Sequence, residues 1–169
     1  MKVIGALMVL LSCSWAGCAS AKEIAARARE LNVLISAMGI LKSEILFHHA
    51  TMEQCLKRAV LQSSGRTQEF FEKIYDALLK NPAEPFAVLW KNGAAPLQPF
   101  FGRNAALAVE ELSGVLGCYD GPLQAERIDK CIEILENERS KAENSLKTTG
   151  KLYKTAGVSM GVAAALLIL

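Results

Sequence analysis

Histidine is nearly missing from this chain of 169 residues: only two occur, side by side at His48 and His49. Glu44 stands four residues before His48, and Glu53 four after His49. With a helix break expected at Thr51, no third ligand and no HExxH pattern, this spacing describes a polar helix end and implies no metal. The five cysteines include no CxxC pair, so neither a zinc ribbon nor a disulfide framework is indicated. Cys55, Cys118 and Cys131, outside the N-terminal apolar run, read as reduced and mostly buried thiols. No phosphate loop occurs: Gly114 to Gly117 lacks the GK[ST] ending and closes a helix where such loops open one. Nucleophile elbows are absent, the acidic residues stand at helical spacings beside basic ones, and neither a cofactor nor an enzymatic role is implied. A basic cluster is missing as well. The net charge is only +2, which leaves no electrostatic footprint for nucleic acid. Sustained period-two alternation is lacking, so strands are not expected.

What the chain does have is apolar residues, 51% of the total with a mean hydropathy of +0.23, and they are gathered at the ends. Nineteen residues from Val3 to Ala21 and fifteen from Thr155 to Leu169 carry no charged side chain. As helices they would reach roughly 28 Å and 22 Å, against a hydrocarbon core of ~30 Å. An uncleaved membrane helix, a cleaved signal peptide and a lipidated N-terminus all fit the first run; the uncleaved helix needs only length and is the reading taken here. The divisions are therefore an anchor at 1–21, a helical domain at 22–154 and a C-terminal membrane segment at 155–169. The middle carries 18 basic and 17 acidic side chains, a net charge of +1. Lys22, Arg27 and Arg29 follow the first run and Lys141, Lys147, Lys151 and Lys154 precede the second, so the positive-inside rule puts the middle in the cytoplasm. Gly157 and Gly161 give a GxxxG spacing suited to helix pairing.

Between the ends the period is helical. Ile24, Leu31, Met38 and Ile45 recur every seven residues, with Leu34 and Leu41 between them, which predicts one long helix from 22 to about 47. Thr51 with Gln54 forms a capping box for a helix to about Gln62, stopped by Ser63-Ser64-Gly65. Phe70, Phe71, Ile74, Leu78 and Leu79 line a third helix, about Thr67 to Leu79. Four of the five prolines fall between Pro82 and Pro99, around a short helix with Phe86, Leu89 and Trp90. Trp90 is either a docking anchor or a core residue, and a lone tryptophan favours the core. A fifth helix is expected from Arg103 to Leu116, ending at Gly117. After a turn at Asp120-Gly121-Pro122 comes a last helix from Leu123 onward, with bends at Gly150 and Gly157. The fold class is all-α, about six helices, with long first and last helices side by side.

Several short stretches, in this order, resemble the stage III sporulation protein AB family of spore-forming Firmicutes. They are Lys2-Val-Ile-Gly-Ala6; Leu41-Lys-Ser-Glu44-Ile45; Leu116-Gly117 with Asp120 and Gln124; and Lys151-Leu-Tyr153 before a glycine-containing apolar tail. The resemblance covers nearly the whole chain, with departures at His48-His49 and at Cys118. It implies a subunit of the channel between mother cell and forespore, with a fold similar to the helical cytoplasmic domain of type II secretion platform proteins. It also implies a non-catalytic platform in the mother-cell membrane around the forespore, coupling a cytoplasmic ATPase, stage III sporulation protein AA, to other channel subunits, with room for self-association. The positions it singles out are Glu44, Leu116, Gly117, Asp120, Gln124 and Tyr153. The rival reading is a secreted or lipid-anchored helical binding protein without an ATPase partner.

Overall fold

The computed structural model describes residues 22–48 and 50–148, all helices and connections; among them no strand occurs. Two units are distinguished, Arg29–Arg139 and the terminal arms Met1–Ala28 with Ser140–Leu169. Among the described residues seven α-helices follow in order: α1 (Lys2–Phe47), α2 (Met52–Gln62), α3 (Gly65–Lys80), α4 (Phe86–Ala94), α5 (Gln98–Phe101), α6 (Arg103–Glu111) and α7 (Gly121–Ile168). Six of them have nine residues or more and α5 is a single turn, which accounts for the six expected. The membrane segments expected at 1–21 and 155–169, the bends at Gly150 and Gly157, the Gly157/Gly161 face and Tyr153 lie outside the described residues, as does His49. Among the described residues no helix is long and apolar enough to cross a membrane.

In the central unit the seven-residue repeat of α1 becomes a buried stripe, Leu31, Leu34, Met38, Leu41 and Ile45, and α7 turns Ala125, Ile128, Cys131 and Leu135 inward. Two polar contacts show how these helices run. Lys42 Nζ meets the Asp129 carboxylate at 2.6 Å, and Arg139 Nη1 donates to Asn32 Oδ1 at 2.8 Å. Ten residues separate the contacts on each helix, so α1 and α7 lie side by side and antiparallel in a constant register.

α2 begins as its sequence predicts. Thr51 Oγ1 accepts the Gln54 N–H at 3.4 Å while Gln54 Oε1 accepts the Thr51 N–H at 3.3 Å. Two helix boundaries differ from expectation. α3 starts at Gly65 rather than Thr67, because Glu30 on α1 brings its carboxylate to the Arg66 N–H at 3.2 Å and satisfies a free donor of the first turn. Gly65 has φ +60°, a left-handed conformation that favours glycine; a Cβ there would meet the Glu30 carboxylate, the movable end of a flexible side chain. α6 ends at Glu111 rather than Leu116. The chain tightens into a 3-10 turn at Leu112–Gly114, whose Leu112 carbonyl accepts from both Val115 and Leu116. Gly121 and Pro122, expected in a turn, instead form the first turn of α7, where a missing N–H costs nothing.

The aromatic core closes over Trp90, which is wholly buried. Its ring stands edge-on to Phe70 at 5.3 Å and Phe71 at 6.2 Å, and its indole N–H donates to the Val109 carbonyl at 2.6 Å. One side chain thus joins α3, α4 and α6. In the terminal arms, Ala28 and Ala142 are buried, while Lys22, Glu23, Lys141 and Lys147 are exposed.

Candidate interaction surface

Leu116, Gly117, Asp120 and Gln124 converge on the connection between α6 and α7, and Gln124 ties it together. Its side chain is 7% exposed; Oε1 accepts the Gly117 N–H at 3.1 Å and Nε2 donates to the Tyr119 carbonyl. The Asp120 carbonyl accepts the Gln124 N–H at 3.1 Å, which starts the α7 hydrogen-bond ladder, and Leu116 fills the core beneath. Gly117 has φ +77° with open space where a Cβ would stand. Its need for glycine is therefore a backbone need alone. Gly117→Ala should cost about 1–2 kcal/mol, the left-handed penalty of an L-residue without added clash. A denaturant titration showing no loss would contradict this account.

Glu44 belongs to a different corner, where α1 turns into α2. Its backbone carbonyl accepts from both His48, at 3.3 Å, and Ala50, at 3.2 Å, which ends α1. Its carboxylate, in a residue only 5% exposed, is held through Oε1 by Arg58 Nη1 at 2.8 Å. Sequence spacing offered Glu44 and His48 as an i, i+4 pair and overlooked Arg58, fourteen residues on. His48 is exposed, and among the described residues no group of three His, Cys, Asp or Glu is placed to hold a metal ion.

Cys55 and Cys131 are buried and unpaired, and Cys118 is unpaired and exposed. Burial, helped by the nearby Glu44 charge, pushes the Cys55 thiol up to about 11; burial with Glu111 pushes Cys131 up to about 12. Both stay protonated at neutral pH and are poor nucleophiles. Because their folded values lie above the ordinary 9, stability is fully present below pH 9 and falls as pH rises from 9 toward 12, by about 1.4 kcal/mol per pH unit for one such thiol. Urea titrations on either side of this window should show the fall, and Cys131→Ala should lose less across it than the parent.

Cys131 also floors a shallow groove of about 200 Å³ between α6 and α7, with Ala108, Leu112 and Val115. Ile134, 38% exposed, borders it. Glu111, Arg127 and Lys130 complete its lining, so the groove is of mixed charge and apolar character.

The sequence model of the stage III sporulation protein AB family matches residues 2–169. The chain belongs to that family. It is 21% identical to Stage III sporulation protein AB of Bacillus subtilis (strain 168) over 171 residues, an alignment that covers 100% of this chain and 99% of that one. A solved structure of Stage III sporulation protein AB superposes with a TM-score of 0.61 at 18% identity, covering 70% of this chain and 94% of that one. At that identity the likeness speaks for the fold, and it agrees with the all-helical arrangement described above. Of the positions that the family resemblance singled out, Leu116, Gly117, Asp120 and Gln124 form one structural lock. Glu44 anchors the separate α1–α2 corner. Trp90, singled out by its place in the Pro-rich connection, is core.

Proposed function

We propose that this stage III sporulation protein AB family member is a non-catalytic membrane platform of the channel between mother cell and forespore, coupling a cytoplasmic secretion-type ATPase to the membrane complex. Family membership supports the sporulation context. The observation that supports a coupling role is the doubly pinned pair α1 and α7. Lys42 with Asp129, and Asn32 with Arg139, resist sliding of one helix along the other, so a push on the central unit moves both helices together. The proposed location is the mother-cell membrane around the forespore, with the central unit in the cytoplasm. The uncharged runs 3–21 and 155–169, and the basic residues that border them on the side of the central unit, support that topology. Stage III sporulation protein AA is the proposed ATPase partner.

Two experiments test this reading. Co-purification with the ATPase of the same organism should recover both chains from detergent extracts; consistent recovery of one without the other would sink the coupling role. Topology is read at Cys118, the exposed thiol of the central unit. In cells whose Cys13 and Cys18 are replaced by serine, a membrane-impermeant maleimide should leave the protein unlabelled until the cells are opened. Labelling of intact cells would favour a secreted or lipid-anchored binding protein instead.

A further inference from the structure

A cavity of about 430 Å³ opens at the corner where α1 turns into α2, lined by Glu44, His48, Gln54, Lys57, Arg58 and Leu61. Its charged groups, leaving His48 aside, are two cations, Lys57 and Arg58, and one carboxylate, a net charge of +1. The carboxylate is the buried one. Glu44 uses Oε1 to hold Arg58 Nη1, and its Oε2 accepts no hydrogen bond among the described residues. Glu44 therefore fixes one guanidinium nitrogen and leaves the others free, in a side chain that is 54% exposed. Lys57 is exposed and has no partner among the described residues. Gln54 spends its Oε1 on the Thr51 N–H, which leaves its amide nitrogen to donate.

The cavity thus presents several unspent donors together with one unspent acceptor, Glu44 Oε2, which reaches solvent from a mostly buried residue. A free anion would satisfy the donors and leave Glu44 Oε2 facing a like charge. A peptide can satisfy both sets, because it carries side-chain carboxylates and backbone N–H groups on one chain. Apolar surface stands beside the charges: Leu61 in the lining is 74% exposed, and Phe47, next to His48, is 72% exposed. Apolar contact beside a fixed arginine is a frequent composition of protein docking sites.

We propose that the α1–α2 corner is a docking site for an acidic segment of a partner protein, whose carboxylate bridges Arg58 and Lys57. A backbone N–H of that segment donates to Glu44 Oε2, and an apolar neighbour covers Leu61. Arg58 is the binding residue and Glu44 the positioning residue that keeps its guanidinium at the mouth of the cavity. This assignment is independent of the coupling role, since it concerns what the corner recognises and not which assembly supplies it.

The test uses the full-length chain in a neutral detergent and a fluorescein-labelled heptapeptide alternating glutamate with leucine. A matched peptide carries glutamine in place of glutamate. The glutamate peptide should bind, and the glutamine peptide should bind at least about tenfold more weakly. Lys57→Glu removes an exposed side chain without a partner, so it should fold normally and weaken glutamate-peptide binding by about tenfold or more. Arg58→Gln in combination with Glu44→Gln, which leaves no stranded carboxylate, should weaken it as much. Arg103→Glu, exposed at the start of α6 near the Asn32–Arg139 contact, should leave binding unchanged. Failure of the glutamate peptide to bind, equal binding of the two peptides, or an unaltered Lys57→Glu variant would each overturn the assignment. Displacement of the peptide by inorganic phosphate or by phosphatidylglycerol vesicles as effectively as by unlabelled peptide would overturn it too, in favour of a general anion site.

Discussion

Trp90→Ala should destabilise the central unit by about 3–5 kcal/mol, the usual cost of removing a buried tryptophan. The magnitude follows from what the indole does at once. Its ring fills the space between α3 and α4 against Phe70 and Phe71, and its N–H satisfies the Val109 carbonyl near the end of α6. Removal opens a cavity in an interior that relaxes only in part. Trp90→Phe separates the two contributions: it keeps most of the packing and gives up the hydrogen bond, so a loss of about 1–2 kcal/mol is expected. Denaturant unfolding followed by circular dichroism measures both. A loss below about 1 kcal/mol for the alanine variant would show that the core collapses onto the space, contrary to the close packing seen around Trp90.

Arg58→Ala should cost about 2 kcal/mol, which is large for a side chain that is 54% exposed. The cost arises at Glu44 rather than at Arg58. Just over half of the arginine side chain is in solvent, but its loss strands a carboxylate whose residue is only 5% exposed, beside the buried Cys55 thiol. Neutralising the stranded group should therefore restore stability: the double variant Glu44→Gln with Arg58→Ala is expected to be more stable than Arg58→Ala alone. Urea midpoints of the parent, both single variants and the double variant close the cycle. Additive losses in the two single variants would show that Glu44 and Arg58 do not act as a pair.

These two side chains show where sequence reading succeeds and where it stops. Trp90 favoured the core from sequence, because a lone tryptophan on a short helix has few better places for so much apolar surface. Which carbonyl its N–H would reach was not legible, since Val109 lies nineteen residues away on another helix. Glu44 came to notice through family resemblance and by its spacing from His48, yet its partner is Arg58, brought near by the reversal of the chain at Thr51. The Thr51 and Gln54 capping box was readable in full, because both partners sit within one turn of the same helix. By contrast, the Glu30 contact that completes the start of α3 comes from another helix, so local sequence points to Thr67 while the helix begins at Gly65. Leu116, Gly117, Asp120 and Gln124 were marked as a group, but their common purpose emerges only when the Gln124 side chain is seen bonding to both sides of the connection.

The sequence by itself determined the all-helical class, the long first and last helices, the positions of most breaks and the separation of two apolar ends from a near-neutral middle. Those properties are set by periodicity, glycine, proline and capping residues, which act over a few neighbours along the chain. Tertiary structure alone decided the antiparallel register of α1 and α7, the pairing of Glu44 with Arg58, the early close of α6 and the open cavity at the α1–α2 corner. Each depends on which surfaces meet once the chain turns back on itself, and those meetings are fixed by the packing of the whole core rather than by any local pattern.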